Sequence, residues 1–173
     1  MKLIYSIHKY DVFMFTWLAN ARLHSLLAKF SRYLSKTGDG HLYVIAIVFL
    51  FWHEGAANPL TRAILLAFLI ERPVYFILKN SFKRNRPQAA LSGFRSLVTP
   101  SDQFSFPSGH TSAAFMMATL VAYFFPISMI PLYGWAVLVG FSRVVLGVHF
   151  PTDTMMGAVL GISTAIISLE IIL

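Results

Sequence analysis

The sequence predicts an all-α fold: a polytopic membrane helical bundle of about six transmembrane helices, or five if the N-terminal helix lies in the interface. Three observations predict it. Of the 173 residues 57% are hydrophobic and only 12% charged, where soluble domains carry about 25% charge. Two stretches, Thr111–Ser142 and Thr154–Leu169, contain no Asp, Glu, Lys or Arg at all. Prolines and turn residues cut the apolar sequence into helix-sized pieces. With mean hydropathy at +0.66 and about 20 residues per span, residues 1–173 read as a single membrane-embedded domain.

Taken in order, Asp11–Tyr33 is helix-like but interrupted by Arg22, His24 and Lys29. It either crosses the membrane or lies along its surface as an amphipathic helix; crossing is the expectation. The first residues lack the long apolar core and small-residue cleavage site of a signal peptide. Lys36-Thr37-Gly38-Asp39-Gly40 is a turn by its chemistry. Leu42–Trp52 is apolar but short, so it must borrow flanking residues or thin the membrane. Thr61–Leu78 is a span carrying Glu71, Arg72 and Pro73. Charges inside a span are costly and face the bundle interior; as sequence neighbours, these two are expected on different sides with different partners. Residues 88–106 form the one substantial loop. A hairpin follows, about 110–125 and 131–147, broken by Pro126 and Pro131. The last span begins after Pro151. Internal repeats and low-complexity segments are absent from the sequence.

The net charge is +7. In a soluble chain that would raise nucleic acid as a partner; here the basic residues sit at membrane edges, where they anchor helices and meet anionic headgroups. Membrane lipids are therefore the expected partners, and nucleic acid is not. Cysteine is absent, which removes disulfides, thiolate metal ligands and thiol nucleophiles. His8, His24, His41 and His53 fall near span ends and read as interface residues, not metal ligands. Lys83 and Arg84 read as juxtamembrane anchors.

Polar residues able to do chemistry cluster at three places: Lys79 to Arg86-Pro87, Pro107-Ser108-Gly109-His110, and Ser142-Arg143 with His149 and Asp153. Alternating helix directions bring all three to one side of the membrane. Lys79, Arg86 and Arg143 supply fixed cations, and arginine's planar fork matches phosphate oxygens. Ser108-Gly109 precedes a helix, where free backbone N–H groups favour anions. A neutral imidazole can attack phosphorus while a second, protonated one serves the leaving oxygen. Asp153 can orient an imidazole, as in a serine-protease triad. Phosphoryl transfer needs mainly positioning and charge neutralisation. No metal or other cofactor is expected.

The order and spacing of these clusters resemble the type 2 phosphatidic acid phosphatase superfamily, which also includes vanadate haloperoxidases and glucose-6-phosphatase. Its pattern is K-x6-R-P, P-S-G-H and S-R-x5-H-x3-D, and the signature region at about 79–153 departs from it nowhere. The resemblance implies His149 as a nucleophile that forms a phosphohistidine, Asp153 as its orienting partner and His110 as the acid–base group. It implies Lys79, Arg86, Ser108, Gly109 and Arg143 as the phosphate shell. It further implies a metal-independent lipid phosphatase of the bacterial inner membrane, with its site on the extracytoplasmic side. Undecaprenyl pyrophosphate is the expected substrate; phosphatidylglycerophosphate or phosphatidate is the alternative, and a non-catalytic phospholipid-binding or transport protein is the rival class. Charge counting does not supply that orientation: Lys29, Arg32 and Lys36 fall on the site's side, opposite Lys2, Lys9 and Arg62.

Overall fold

The computed structural model describes residues 2–21 and 24–173, with side chains from His8 onward. Its helices are α1 (Lys2–Ala19), α2 (His24–Thr37), α3 (Gly40–Glu54), α4 (Pro59–Phe82), the short α5 (Pro87–Ala90), α6 (Gly109–Phe124), α7 (Met129–Val145) and α8 (Pro151–Ile172). Among the described residues there is no strand, only an isolated bridge between Asn85 and Phe104. Among the described residues three stretches are long and apolar enough to cross a membrane: His24–Glu54, Pro126–Val145 and Pro151–Ile172.

The hairpin is present as expected, with a turn of 3-10 helix at Pro126–Ser128. Helix α7 starts two residues before Pro131, because a proline in the first turn gives up an N–H that has no helical partner anyway. At the head of α4, the Asn58 side chain accepts from the N–H groups of Leu60 and Thr61 at 2.9 and 3.2 Å, and Pro59 follows. The N-terminal expectation needs correction: 11–33 is not one helix but the end of α1 and most of α2. Arg22, placed within that helix by the sequence, and the Lys2 side chain lie outside the described residues. The short apolar segment borrows its length from α2, with Gly38 and Asp39 between them.

The main apolar core lies between α3, α4, α6 and α8, around Tyr43, Ile64, Ala67, Met116, Leu120 and Ala165. A smaller one joins α6 to α7 through Ala114, Ala118, Ala136 and Val139. Phe15, Val144 and Phe150 pin α1 to the end of α7 and the turn before α8. Outside, Trp17, Phe49, Trp52, Leu69, Ile77 and Ile130 are exposed. So much exposed apolar side chain would be a liability in water, but it is the ordinary outer face of a bundle in lipid.

Two glycines let α8 lie directly on α6. A Cβ on Gly157 would stand 2.5 Å from the Ser108 carbonyl oxygen, and one on Gly161 closer still to that of Ser112. Small residues at this spacing allow helix backbones to touch. That contact sets the start of α8, and so Asp153, beside the start of α6.

The pair inside α4 also departs from expectation. Glu71 and Arg72 are partners: Arg72 Nη2 donates to Glu71 Oε1 at 2.7 Å, and Nε donates to the other oxygen. The arginine is long enough to fold back round the helix, its side chain half-exposed, while Glu71 is fully buried. Ser112 Oγ donates to Glu71 Oε1 at 2.6 Å, so the charge also ties α4 to α6.

Candidate active site

Four segments meet at one end of the bundle: the end of α4, the loop 91–108, the start of α6 and the turn between α7 and α8. That turn is built on Gly147, whose φ of +76° is open to glycine and strained for other residues. Leu97 N–H donates to Leu146 O at 3.0 Å and Ser96 Oγ to Gly147 O at 2.7 Å, which fastens the loop over the turn. Asp153, in the first turn of α8, accepts from Phe150 N–H at 2.7 Å and so holds the residue following His149.

His149 is buried, 2% exposed. Its Nε2 lies 3.4 Å from Arg86 Nη1, and Arg86 also donates to Val148 O at 2.6 Å. Its Nδ1 stands 3.9 Å from Asp153 Oδ2, beyond a hydrogen bond, and has no other partner among the described residues. Burial, and then the positive charges of Arg86, Arg143 and Lys79, hold this imidazole well below the ordinary histidine pKa. It is therefore neutral at physiological pH, the form a nucleophile needs.

Lys79 and Arg86 converge on a carboxylate that the sequence did not single out. Asp102 accepts from Lys79 Nζ at 2.7 Å, Arg86 Nη2 at 2.5 Å and the Tyr75 hydroxyl at 2.9 Å. Partial burial raises its pKa, but the bonds from Lys79 and Arg86 outweigh that and hold the carboxyl below its usual range. Gly109 packs on the Tyr75 ring, where a Cβ would come within 3.0 Å.

His110 and Arg143 open on a cavity of about 720 Å³, together with Lys29, Arg32, Ser35, Lys36, Asp39 and the loop residues Leu97, Val98, Thr99 and Ser101. His110 Nε2 lies 2.9 Å from Asp39 Oδ1. Arg143 Nη1 donates to Ser35 Oγ at 2.5 Å, while its buried Nε lacks a partner among the described residues. An unpaired charged donor in the interior is costly unless an anion completes it.

Ser108 is placed differently from expectation. Its N–H donates to Asp153 O at 3.0 Å and its hydroxyl pairs with Thr111 Oγ1 at 2.9 Å, so that N–H is a strut between α6 and α8 rather than a free anion donor. Arg84 is not a membrane-edge anchor: it donates to Asp153 at 2.8 Å, Asp11 at 2.6 Å and Thr152 at 2.7 Å, with its guanidinium 4.6 Å from the Phe150 ring centre. Spacing alone could not reveal Asp11, Asp39 or Asp102. The scarcity of acid could have: the chain has 7 Asp and Glu against 14 Lys and Arg, and in an apolar bundle a carboxylate needs a cation. Among the described residues no group of three or more His, Cys, Asp or Glu is arranged to hold a metal ion.

The chain is similar to several known proteins. Phosphatidylglycerophosphatase B of Bacillus subtilis (strain 168) is 39% identical over 110 residues, 57% of this chain and 51% of that protein. Decaprenylphosphoryl-5-phosphoribose phosphatase of Mycobacterium tuberculosis is 31% identical over 96 residues, 53% and 50%. Each alignment thus spans about half of the curated relative. The crystal structure of Aquifex aeolicus LpxE superposes with a TM-score of 0.81 at 33% identity, covering 92% of this chain and 94% of that one. Apolar spans and membrane relatives together make this an integral membrane protein. The PAP2 superfamily matches residues 56–173, and the chain belongs to it.

Proposed function

We propose that the protein is a metal-independent lipid phosphatase working through a phosphohistidine on His149. The observation that carries the reading is a pair of buried groups, His149 Nδ1 and Arg143 Nε, that have no partner among the described residues and are set among Lys79 and Arg86. A phosphoryl group would complete Arg143 and place phosphorus before a neutral imidazole. His149 Nε2 forms the N–P bond as the P–O bond to the lipid breaks, with Nδ1 turned toward Asp153 to steady the cation. His110 gives a proton to the leaving oxygen and later takes one from the attacking water. Asp39 fixes His110 through Nε2, leaving Nδ1 for that exchange.

The substrate we propose is undecaprenyl pyrophosphate, with phosphatidylglycerophosphate an equal alternative; a relative named for each kind of lipid, polyprenyl and glycerophosphate, supports the pair. The proposal includes about six spans, the bacterial inner membrane and an extracytoplasmic site. The test is phosphate release by the detergent-solubilised protein in EDTA from undecaprenyl pyrophosphate, phosphatidylglycerophosphate and phosphatidate. Release abolished by His149→Ala, with an acid-labile phosphoryl label on the native protein, is the expected result. No release from any lipid would sink the reading.

A further inference from the structure

Lys29, Arg32 and Lys36 have no part in the chemistry above, yet all three line the cavity onto which His110 and Arg143 open. They occupy positions i, i+3 and i+7 of α2, one face of the helix and a row about 10 Å long. The adjoining face is fixed: Ala28, Ser31 and Ser35 are buried, and Ser35 holds Arg143. Arg32 Nη2 donates to Leu97 O at 3.2 Å, joining the row to the loop across the cavity. The lining thus has Lys29, Arg32, Lys36 and Arg143 against the single carboxylate of Asp39. Lys79 and Arg86 already serve the reacting position, so this row is surplus to one phosphoryl group.

We propose that Lys29, Arg32 and Lys36 form a subsite for a second anionic group of the substrate. The site then selects lipids bearing two phosphates, either a diphosphate or a phosphate monoester on a phosphodiester headgroup, over a lone phosphate monoester. This rests on the phosphatase reading and narrows it. Three exposed cations along one wall give a second phosphate charge-assisted contacts while the first sits at His149. The same charges could instead draw the protein to anionic lipid surfaces, so the test is made in neutral detergent micelles.

The experiment compares farnesyl diphosphate with farnesyl monophosphate, which share a tail, on the native protein and on the triple variant Lys29→Ala, Arg32→Ala, Lys36→Ala. All three side chains are exposed, and thermal unfolding in detergent checks that the variant is folded. The native protein should favour the diphosphate in kcat/KM. The variant should lose about tenfold on it, the sum of three exposed charge contacts, and less than about twofold on the monophosphate. Equal losses on both, or none on either, would overturn the subsite. Binding of the two lipids to His149→Ala separates the two claims. A diphosphate preference there that the triple substitution abolishes upholds the subsite even if turnover fails and the phosphatase reading falls; equal affinity for both lipids sinks the subsite.

Discussion

Arg84 Nη1 donates to Asp153 Oδ1 at 2.8 Å, so the carboxylate behind His149 is itself held by a cation just beyond the end of α4. The same guanidinium reaches Asp11 on α1, and both carboxylates are buried. This one side chain fastens α1 and the start of α8 to α4.

Removing it strands two buried acids. Arg84→Ala is expected to cost about 3 kcal/mol or more, as when one member of a buried pair is deleted. A large fall in the unfolding temperature in detergent, with loss of phosphate release, is the expected result. Adding Asp11→Asn to Arg84→Ala should recover part of the stability, because one stranded charge is gone. An unchanged unfolding temperature in the single variant would show that water solvates these acids.

Asp102 engages both Lys79 and Arg86, the cations expected to receive phosphate. A phosphate must share them with this carboxylate or displace it. Asp102→Asn is therefore expected to tighten product inhibition by inorganic phosphate about tenfold, equivalent to about 1.4 kcal/mol. Measured Ki values decide it. Weaker inhibition would mean that the carboxylate's main work is to aim Lys79 and Arg86, not to compete for them.

Activity should fall on the acid side only at low pH. His149 works neutral, and its pKa lies well below the ordinary 6.5, so protonation silences it only below that value. The rate rises with pH through the His149 pKa and falls as the acid–base histidine loses its proton, giving a bell in kcat/KM. Arg86→Gln deletes a nearby positive charge and so should move the acid limb to higher pH, measured on residual activity. A native profile that falls at neither the acid nor the alkaline end, followed down to the acid limit of the protein's stability, would exclude this histidine pair. The substrate's own second ionisation, near pH 6 for a monoester, is separated by titrating the substrate alone in the same detergent.

The parts of this molecule written in local sequence were legible from the residues alone. Uncharged runs and Pro126 announced the hairpin, and the Lys79, His110 and His149 segments were placed at one end by helix alternation. What escaped was set by contacts distant in sequence. Asp102 lies 23 residues from Lys79 and Asp11 lies 73 from Arg84, and no spacing rule links such pairs. Arg72 was misplaced for a different reason: helical angles fix where Cβ points, but a long side chain can return to its neighbour. The break between α2 and α3 was visible as a turn, whereas the break between α1 and α2 falls where the sequence still reads as helix.

The α6–α8 contact gives the sharpest test of how the fold supports the site. Gly161 abuts the Ser112 carbonyl, and Ser112 in turn holds Glu71, so a larger residue must push α8 away from α6 along its length. Gly161→Ala is expected to destabilise by about 1–3 kcal/mol, the usual cost of overpacking, and Gly161→Leu to abolish folding or activity. Gly134 is the control: it lies in α7, and a Cβ there would have nothing within 4 Å, so Gly134→Ala should keep activity and gain a little helix stability. Unfolding temperature and phosphate release are measured on the three variants together. If Gly161→Ala matched Gly134→Ala in both, the helices would have room to part, and the close approach could not be what sets Asp153 against Ser108.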